Sequence, residues 1–435
     1  MTFALTLLFM LMVFWRPQDW LFTWMYGWPL LDVIVSAALL SLTLEVNEGR
    51  VRFPRGPVPF LAAGLYLSTL MSHVAHTYFA GIMMTLTDSF KPCFFMLLLF
   101  VVIDRVERAR AVAAMFAAMG CFMAVHAILQ QQTGFGFANT APMQVYTEAK
   151  GFYTRSLFFG IFEDPNDLAQ MLVVAMPFVL AVPRRFSIFK LMLCAGAITL
   201  LYYGFASTDS RGGLVALVAV AGCFLSLLLP IRWMPVVLGL GLIGALVVCG
   251  AVPGLVIDMS AQERVVFWGL ANQAFKANPI FGLGYGMFWQ VAKSRAAHNA
   301  FVGCYTELGI FGYWFWFGLL LLGIANCWRA RVALRGQATA QLRYLRRLSG
   351  VSIVGAVGFM ASAYFLSRAF VFPYFFMLAL LNAIPVIAQR LLGAEKLPLP
   401  TLNMKLVGML TAGAIGSILY IYISILLLNK AIFGT

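Results

Sequence analysis

Apolar residues in this chain arrive in long unbroken runs separated by short polar breaks, without the strict alternation of a half-buried strand. A helix needs about 17–25 such residues to cross a bilayer. Runs near that length fall at 1–15, 28–44, 58–72, 91–103, 110–129, 167–182, 188–206, 212–229, 233–250, 299–325, 349–366, 370–389 and 406–428. The pattern predicts an all-α polytopic membrane helical bundle of about 12–13 transmembrane helices, with 1–435 as a single integral membrane domain. Continuous runs exclude a transmembrane β-barrel, whose strands alternate. The first run has no basic leader and no small-residue cleavage site, so it reads as the first span.

Composition agrees: 62% of residues are hydrophobic and 11% charged, against about 25% charged in soluble domains. The net charge of +14 raises the question of nucleic acid, which the placement of the charges answers. If Arg50/Arg52/Arg55, Arg105/Arg108/Arg110, Arg184/Arg185/Lys190, Arg232, the run Arg329–Arg347 and Arg390/Lys396/Lys405 share one side, that side holds 19 of the 30 basic residues. It then carries only Glu45, Glu48, Asp104, Glu107 and Glu395 of the acids, and therefore the whole excess. Basic loops stay cytoplasmic, so no nucleic-acid partner is needed. The segment 328–348, with six arginines and no acid, is the clearest cytoplasmic signal and suits anionic membrane lipid. Alternation then places 73–90, 130–166 and 251–298 outside. The seven cysteines are scattered without C-x-x-C and read as small packing residues.

The segment 251–298 is the longest polar interruption, with Asp258, Glu263, Arg264, Lys276, Lys293 and Arg295, a Pro/Gly-rich turn over Pro279–Gly286, and His298 at its end. Three outward-facing groups carry candidate chemistry. In Asp209-Ser210-Arg211-Gly212-Gly213 an arginine stands at a helix start beside free backbone N–H groups, a combination that suits phosphate. The plain alternative is a capped helix with an interfacial arginine. Gln262-Glu263-Arg264 precedes a helix-like run, Val265–Phe275, and Arg264 is either a second anion contact or a local ion pair. His298-Asn299 is followed by Glu307 nine residues on, a turn of about 900° that faces it away from His298. An ionisable group within a span needs a partner, and an arginine from another span is the expected one. His73, His76 and His126 read as structural. Asp164-Pro165-Asn166-Asp167 opens a helix as cap, first-position proline and first-turn acid. Glu163, Asp164 and Asp167 also allow a metal site, although capping already accounts for two of them. The G-x-G-x-G of the turn lacks the β-α-β surroundings of a nucleotide loop.

SRGG at Ser210–Gly213, Glu263-Arg264, P-x-x-G-x-G-x-G-x-F at Pro279–Phe288, HNAFVGCYTELGIFG at His298–Gly312 and DPN-x-x-A at Asp164–Ala169 together resemble the O-antigen ligase/polymerase superfamily. The similar region runs over about 160–325 and makes that stretch the ligase-like core, with 251–298 as an extracytoplasmic catalytic loop. The resemblance implies a GT-C-type membrane glycosyltransferase without metal or other cofactor. It implies an undecaprenyl-pyrophosphate-linked glycan as donor and an acceptor hydroxyl at the periplasmic face of the inner membrane. By the same resemblance Arg211 and Arg264 hold the pyrophosphate and His298 activates the hydroxyl. Ser210, Glu263, Asn299, Glu307, Asp164 and Asn166 are its supporting candidates.

The residues fit that chemistry. A leaving pyrophosphate needs fixed cations as the glycosidic bond breaks, and the incoming hydroxyl needs a base titrating near neutrality. A direct displacement inverts the sugar without the carboxylate pair of a glycoside hydrolase. A ligase with a lipid A–core acceptor, a polymerase and a protein O-oligosaccharyltransferase all remain open. A transporter or flippase is the reading of a different class; it calls for paired half-repeats with broken helices, and no repeat is visible.

Overall fold

The computed structural model describes residues 1–51, 53–54, 56–147, 151–229, 259–292 and 296–433. Helices follow the apolar runs in order: α1 (Thr2–Phe14), α2 (Pro17–Trp20), α3 (Leu30–Asn47), α4 (Pro57–Val74), α5 (Phe79–Asp88), α6 (Phe90–Val102), α7 (Val106–Thr133) and α8 (Pro165–Val179). Then come α9 (Ile188–Ala206), α10 (Arg211–Leu228), α11 (Met259–Ala277), α12 (Ala300–Ala333), α13 (Ala340–Ala363), α14 (Phe372–Leu392) and α15 (Met404–Phe433). Among the described residues, eight helical stretches are long and apolar enough to cross a membrane. The expected all-α polytopic bundle is therefore present. The other expected spans fall on shorter or more polar helices, such as α1 with 13 residues, α8 with 15 and the arginine-bearing α13. The span expected at 233–250 lies outside the described residues, as do Asp258, Lys293 and Arg295.

One element was not expected from the sequence. Within 130–166 the chain forms an antiparallel hairpin, β1 (Met143–Thr147) with β2 (Gly151–Arg155), in register from Met143 opposite Arg155 to Thr147 opposite Gly151.

Helix α12 is central, packing against α4, α11, α13, α14 and α15. Its buried Trp316 stacks on Tyr374 of α14 with ring centroids 4.8 Å apart, and the Tyr374 hydroxyl donates to the Trp316 carbonyl at 2.7 Å. Lipid offers no hydrophobic drive for helices to associate, so close backbone approach at small residues must supply much of the attraction. At Gly204 of α9 a side-chain carbon would stand 2.6 Å from the Ala124 Cα of α7, so the two helices meet at van der Waals contact only because that carbon is missing.

Helix α12 is also broken. Gly309 adopts φ 63°, ψ −170° inside it, which a residue with a side chain adopts only under strain. The break frees main-chain groups that a membrane interior would leave unsatisfied. The Pro279–Gly284 turn takes them up: Leu283 and Gly284 N–H donate to the Thr306 and Glu307 carbonyls at 2.9 and 3.0 Å. In return Ile310 and Phe311 N–H donate to the Pro279 and Ile280 carbonyls at 2.8 and 3.1 Å. The glycine-rich turn is thus a backbone latch on the broken helix, and α4 grips its other side. Ser72 Oγ accepts the Tyr285 N–H at 3.0 Å, and His76 Nε2 lies 2.7 Å from the Gly282 carbonyl.

Candidate active site

Helices α8, α10 and α12 begin at one end of the bundle, and each start is capped, the first two as the sequence predicts. The Asp164 carboxylate accepts the Asn166 N–H at 2.7 Å, and Ser210 Oγ accepts the Gly213 N–H at 3.1 Å. Asn299 Oδ1 accepts the N–H groups of Phe301 and Val302 at 3.0 and 3.1 Å. Each cap is worth roughly 1 kcal/mol. Together the three starts turn positive helix ends towards a common region.

The starts are bound to one another. Asn166 Oδ1 accepts both the Ser210 hydroxyl at 2.8 Å and Arg155 Nη2 at 3.0 Å, tying α8, α10 and the end of β2 together. Arg155 Nε also donates to the Thr208 carbonyl at 2.8 Å. Arg211, the first residue of α10, is exposed just beyond this knot, while Gly213 is buried against Ala169 of α8.

The turn from α13 to α14, Tyr364–Ala369, gathers the remaining elements. The Tyr364 ring meets Trp268 of α11 and Phe301 of α12, with centroids 5.7 and 6.5 Å apart. Phe365 lies against Gly212, and the Ser367 hydroxyl accepts the backbone N–H of His298. Arg368 closes on Asp167 through Nε at 2.9 and 3.0 Å and Nη2 at 2.5 Å. Trp316 Nε1 holds the turn from the core side, donating to the Ala369 carbonyl at 2.9 Å. Trp268 Nε1 donates to the Ala297 carbonyl at 2.7 Å. Arg264 stands one helical turn before Trp268, on the same face of α11.

Both His298 and Asp209 have left-handed backbones, φ 48° and 46°, as does Arg16 at 51°. Such residues are uncommon and cluster where the surroundings over-determine the chain, often at functional sites. Beside Arg368 an open cavity of about 590 Å³ is lined by Arg16, Gly160, Ile161, Glu163, Asp164 and Arg368. The lining mixes both signs of charge, Arg16 and Arg368 with Glu163 and Asp164.

Several expectations change on this geometry. Among the described residues Glu307 has no arginine partner: its carboxylate accepts the backbone N–H groups of Gly286 at 3.0 Å and Phe288 at 3.2 Å. The latch places free main-chain donors there, which a charge count along the sequence does not register. The three acids weighed for a metal each have another task, since Glu163 accepts the Gly160 N–H at 3.1 Å, Asp164 caps α8 and Asp167 holds Arg368. Glu263 is exposed on α11. His126 is structural as expected, its Nδ1 accepting the Phe137 N–H at 3.0 Å. His76 does more than expected, since it grips the latch. Sequence reasoning missed Arg155, Ser367 and Arg368. The one signal for the last two was a polar Ser-Arg pair set between two apolar runs.

The fold and this end of the bundle define a multi-pass membrane protein with arginines at and beside converging helix starts. Residues 195–317 match the family model described as O-Antigen ligase, which supports the resemblance to the O-antigen ligase/polymerase superfamily and, in general terms, its glycosyl transfer. The comparison with curated proteins returns no match.

Proposed function

We propose that the protein transfers a finished glycan from undecaprenyl pyrophosphate to an acceptor hydroxyl at the periplasmic face of the bacterial inner membrane. The acceptor that we favour is lipid A–core, as for an O-antigen ligase. One observation carries the reading: sequence groups at 164–169, 210–213 and 298–312 meet through a single turn, Tyr364–Ala369, which also packs on Trp268 of α11.

Arg211 extends from a helix start whose backbone N–H groups already favour an anion, and Arg264 adds a second fork of donors. Both face the charge that grows on the pyrophosphate as its bond to the sugar C1 lengthens. A ring nitrogen of His298 takes the proton of the acceptor hydroxyl as its oxygen bonds to C1 from the opposite side. Undecaprenyl pyrophosphate leaves, and the anomeric centre inverts. Neither arginine serves as the base, since guanidinium keeps its proton. The mixed-charge cavity between Arg16 and Arg368 suits a sugar, whose hydroxyls both donate and accept.

The broken helix α12 is a feature that a transporter would share. Its break is filled by main-chain bonds from Pro279–Gly284, which leaves no row of open carbonyls for an ion. Purified protein given undecaprenyl-pyrophosphate glycan with lipid A–core should form the ligated product. Product only with a second lipid-linked glycan, or only with a serine/threonine protein, would reassign it as a polymerase or a protein O-oligosaccharyltransferase. Turnover with none of the three would overturn the reading.

A further inference from the structure

At the other end of the same helices lies a second cavity, of about 670 Å³, whose lining includes Arg331 of α12 and Arg343, Arg346 and Arg347 of α13. Its apolar wall comes from Phe224, Leu227 and Leu228 at the end of α10 and from Leu180 just past α8. The α13 residues that line it run from Arg343 to Val351, so along that helix the cavity lies roughly 20–30 Å from the Tyr364–Ala369 turn.

No ion pair among the described residues neutralises these four arginines. Arg331 donates to the Leu227 and Arg346 carbonyls, both at 3.2 Å, and Arg343 to the Ala338 carbonyl at 2.7 Å. Arg347 donates to the Pro183 carbonyl, and its guanidinium lies 4.4 Å from the Phe186 ring centre. Every one of these acceptors is an uncharged carbonyl. The Nε atoms of Arg346 and Arg347 are buried without an acceptor. Arg343 is exposed and the other three are half-buried; like charges gathered so closely, in part away from water, are costly unless an anion joins them. Leu228, on the apolar wall, is 65% exposed.

We infer that this cavity binds a membrane phospholipid with an anionic headgroup, the phosphate among the arginines and the acyl chains along the end of α10. The charge selects the headgroup. The apolar wall separates a lipid from free phosphate, which has nothing to place there. Basic pockets between transmembrane helices recognise anionic headgroups in this way. The inference does not depend on the glycosyl-transfer reading. It gives Arg331 a purpose, since that residue already joins the ends of α10, α12 and α13, and a bound headgroup would brace all three.

The test uses the full chain in nanodiscs of phosphatidylcholine, with and without phosphatidylglycerol, read by native mass spectrometry and thermal melting. Wild type should keep bound phosphatidylglycerol and melt several degrees higher with it. Arg343→Gln/Arg346→Gln should lower retention by roughly tenfold and lose the shift, whereas Arg343→Lys/Arg346→Lys should keep most of both. Arg390→Gln/Lys405→Gln, an equal loss of charge elsewhere, should behave as wild type. Equal loss in that control would reduce the effect to general surface attraction and overturn the site. The site is equally overturned if inorganic phosphate alone reproduces the shift, or if the Gln pair retains lipid as wild type does. Should the Gln pair fail to fold, the test passes to wild type: a shift with phosphatidylglycerol but not with phosphate supports the site, and any other result overturns it.

Discussion

Arg368 and Asp167, 201 positions apart in the chain, form a forked ion pair with contacts of 2.5–3.0 Å at the mouth of the candidate site. The Asp167 side chain is 5% exposed and that of Arg368 43%. Removing only the arginine strands a buried carboxylate, a change that costs about 3–5 kcal/mol when both partners are buried and less here because Arg368 reaches water. Arg368→Ala should therefore lower the melting temperature clearly, and Asp167→Asn/Arg368→Gln should recover much of the loss. Thermal unfolding in detergent measures both. A double variant as unstable as Arg368→Ala would show that the pair does not act as a unit.

The latch makes a separate prediction. A side-chain carbon at Gly309 would lie 2.2 Å from the Ile280 carbonyl oxygen, and one at Gly282 would lie 2.3 Å from the Glu307 carbonyl carbon. Both residues also have positive φ, 63° and 69°. Gly309→Ala and Gly282→Ala should each destabilise by several kcal/mol, through strain and overpacking together. Gly286 has φ 70° but open space around it, so Gly286→Ala should cost only about 1 kcal/mol. Melting temperatures of the three variants check the order.

The positions of the spans and of the capped starts of α8 and α10 were legible because hydropathy and capping are local. Asp164 and Ser210 read as helix starts from a few residues each, whereas the Asn299 cap of α12 was not read from the sequence. The Tyr364–Ala369 hub was not legible, because its meaning lies in contacts with 167, 212, 268, 298 and 316, and Tyr, Phe, Ser and Arg are ordinary at membrane edges. The break at Gly309 hides inside an apolar run, where glycine more often serves helix packing. Glu307 announced a need for a partner but not which one, since backbone donors become available only once the latch has closed.

Sidedness can be checked directly. The charge pattern of the loops places Lys276 outside and Gln337 inside. Cysteines introduced at the two positions should differ, with a membrane-impermeant maleimide tagging position 276 in intact cells and position 337 only after lysis. Tagging at 337 from outside would invert the proposed orientation and move the candidate site to the cytoplasm.

The arginines should be sensitive to shape as well as charge. Lysine keeps the charge of Arg211 or Arg264 but loses the planar pair of donors. Arg211→Ala should cut transfer by roughly 10²-fold, the scale of losing one preorganised donor to a developing anion. Arg211→Lys and Arg264→Lys should fall in between, at unchanged protein level. Full turnover in Arg211→Ala would remove it from the pyrophosphate site. Transfer should also survive EDTA; loss that magnesium or manganese restores would bring Glu163, Asp164 and Asp167 back as metal ligands.

His298 stands where the site's demands meet. Its backbone is held in a left-handed turn by Ser367, with the Asn299 cap on one side and the Trp268-anchored Ala297 on the other. A residue fixed from three directions can present its ring in one orientation, as proton transfer to a general base requires. General-base help is typically worth about 10²–10⁴-fold, so His298→Ala should lower transfer by that factor while binding of the lipid donor, held by the arginines, changes little. Ser367→Ala should act through position alone: the His298 N–H loses its acceptor, and turnover drops by a smaller factor with the same pH profile. His126→Ala, which removes an acceptor inside a packed aromatic cluster, should instead lower stability and leave turnover per folded molecule near wild type. Rates normalised to folded protein separate the three. If His298→Ala inserts normally and transfers within about threefold of wild type, well short of a base's usual contribution, the base must be sought among the carboxylates, with Asp164 at the cavity mouth the first to test.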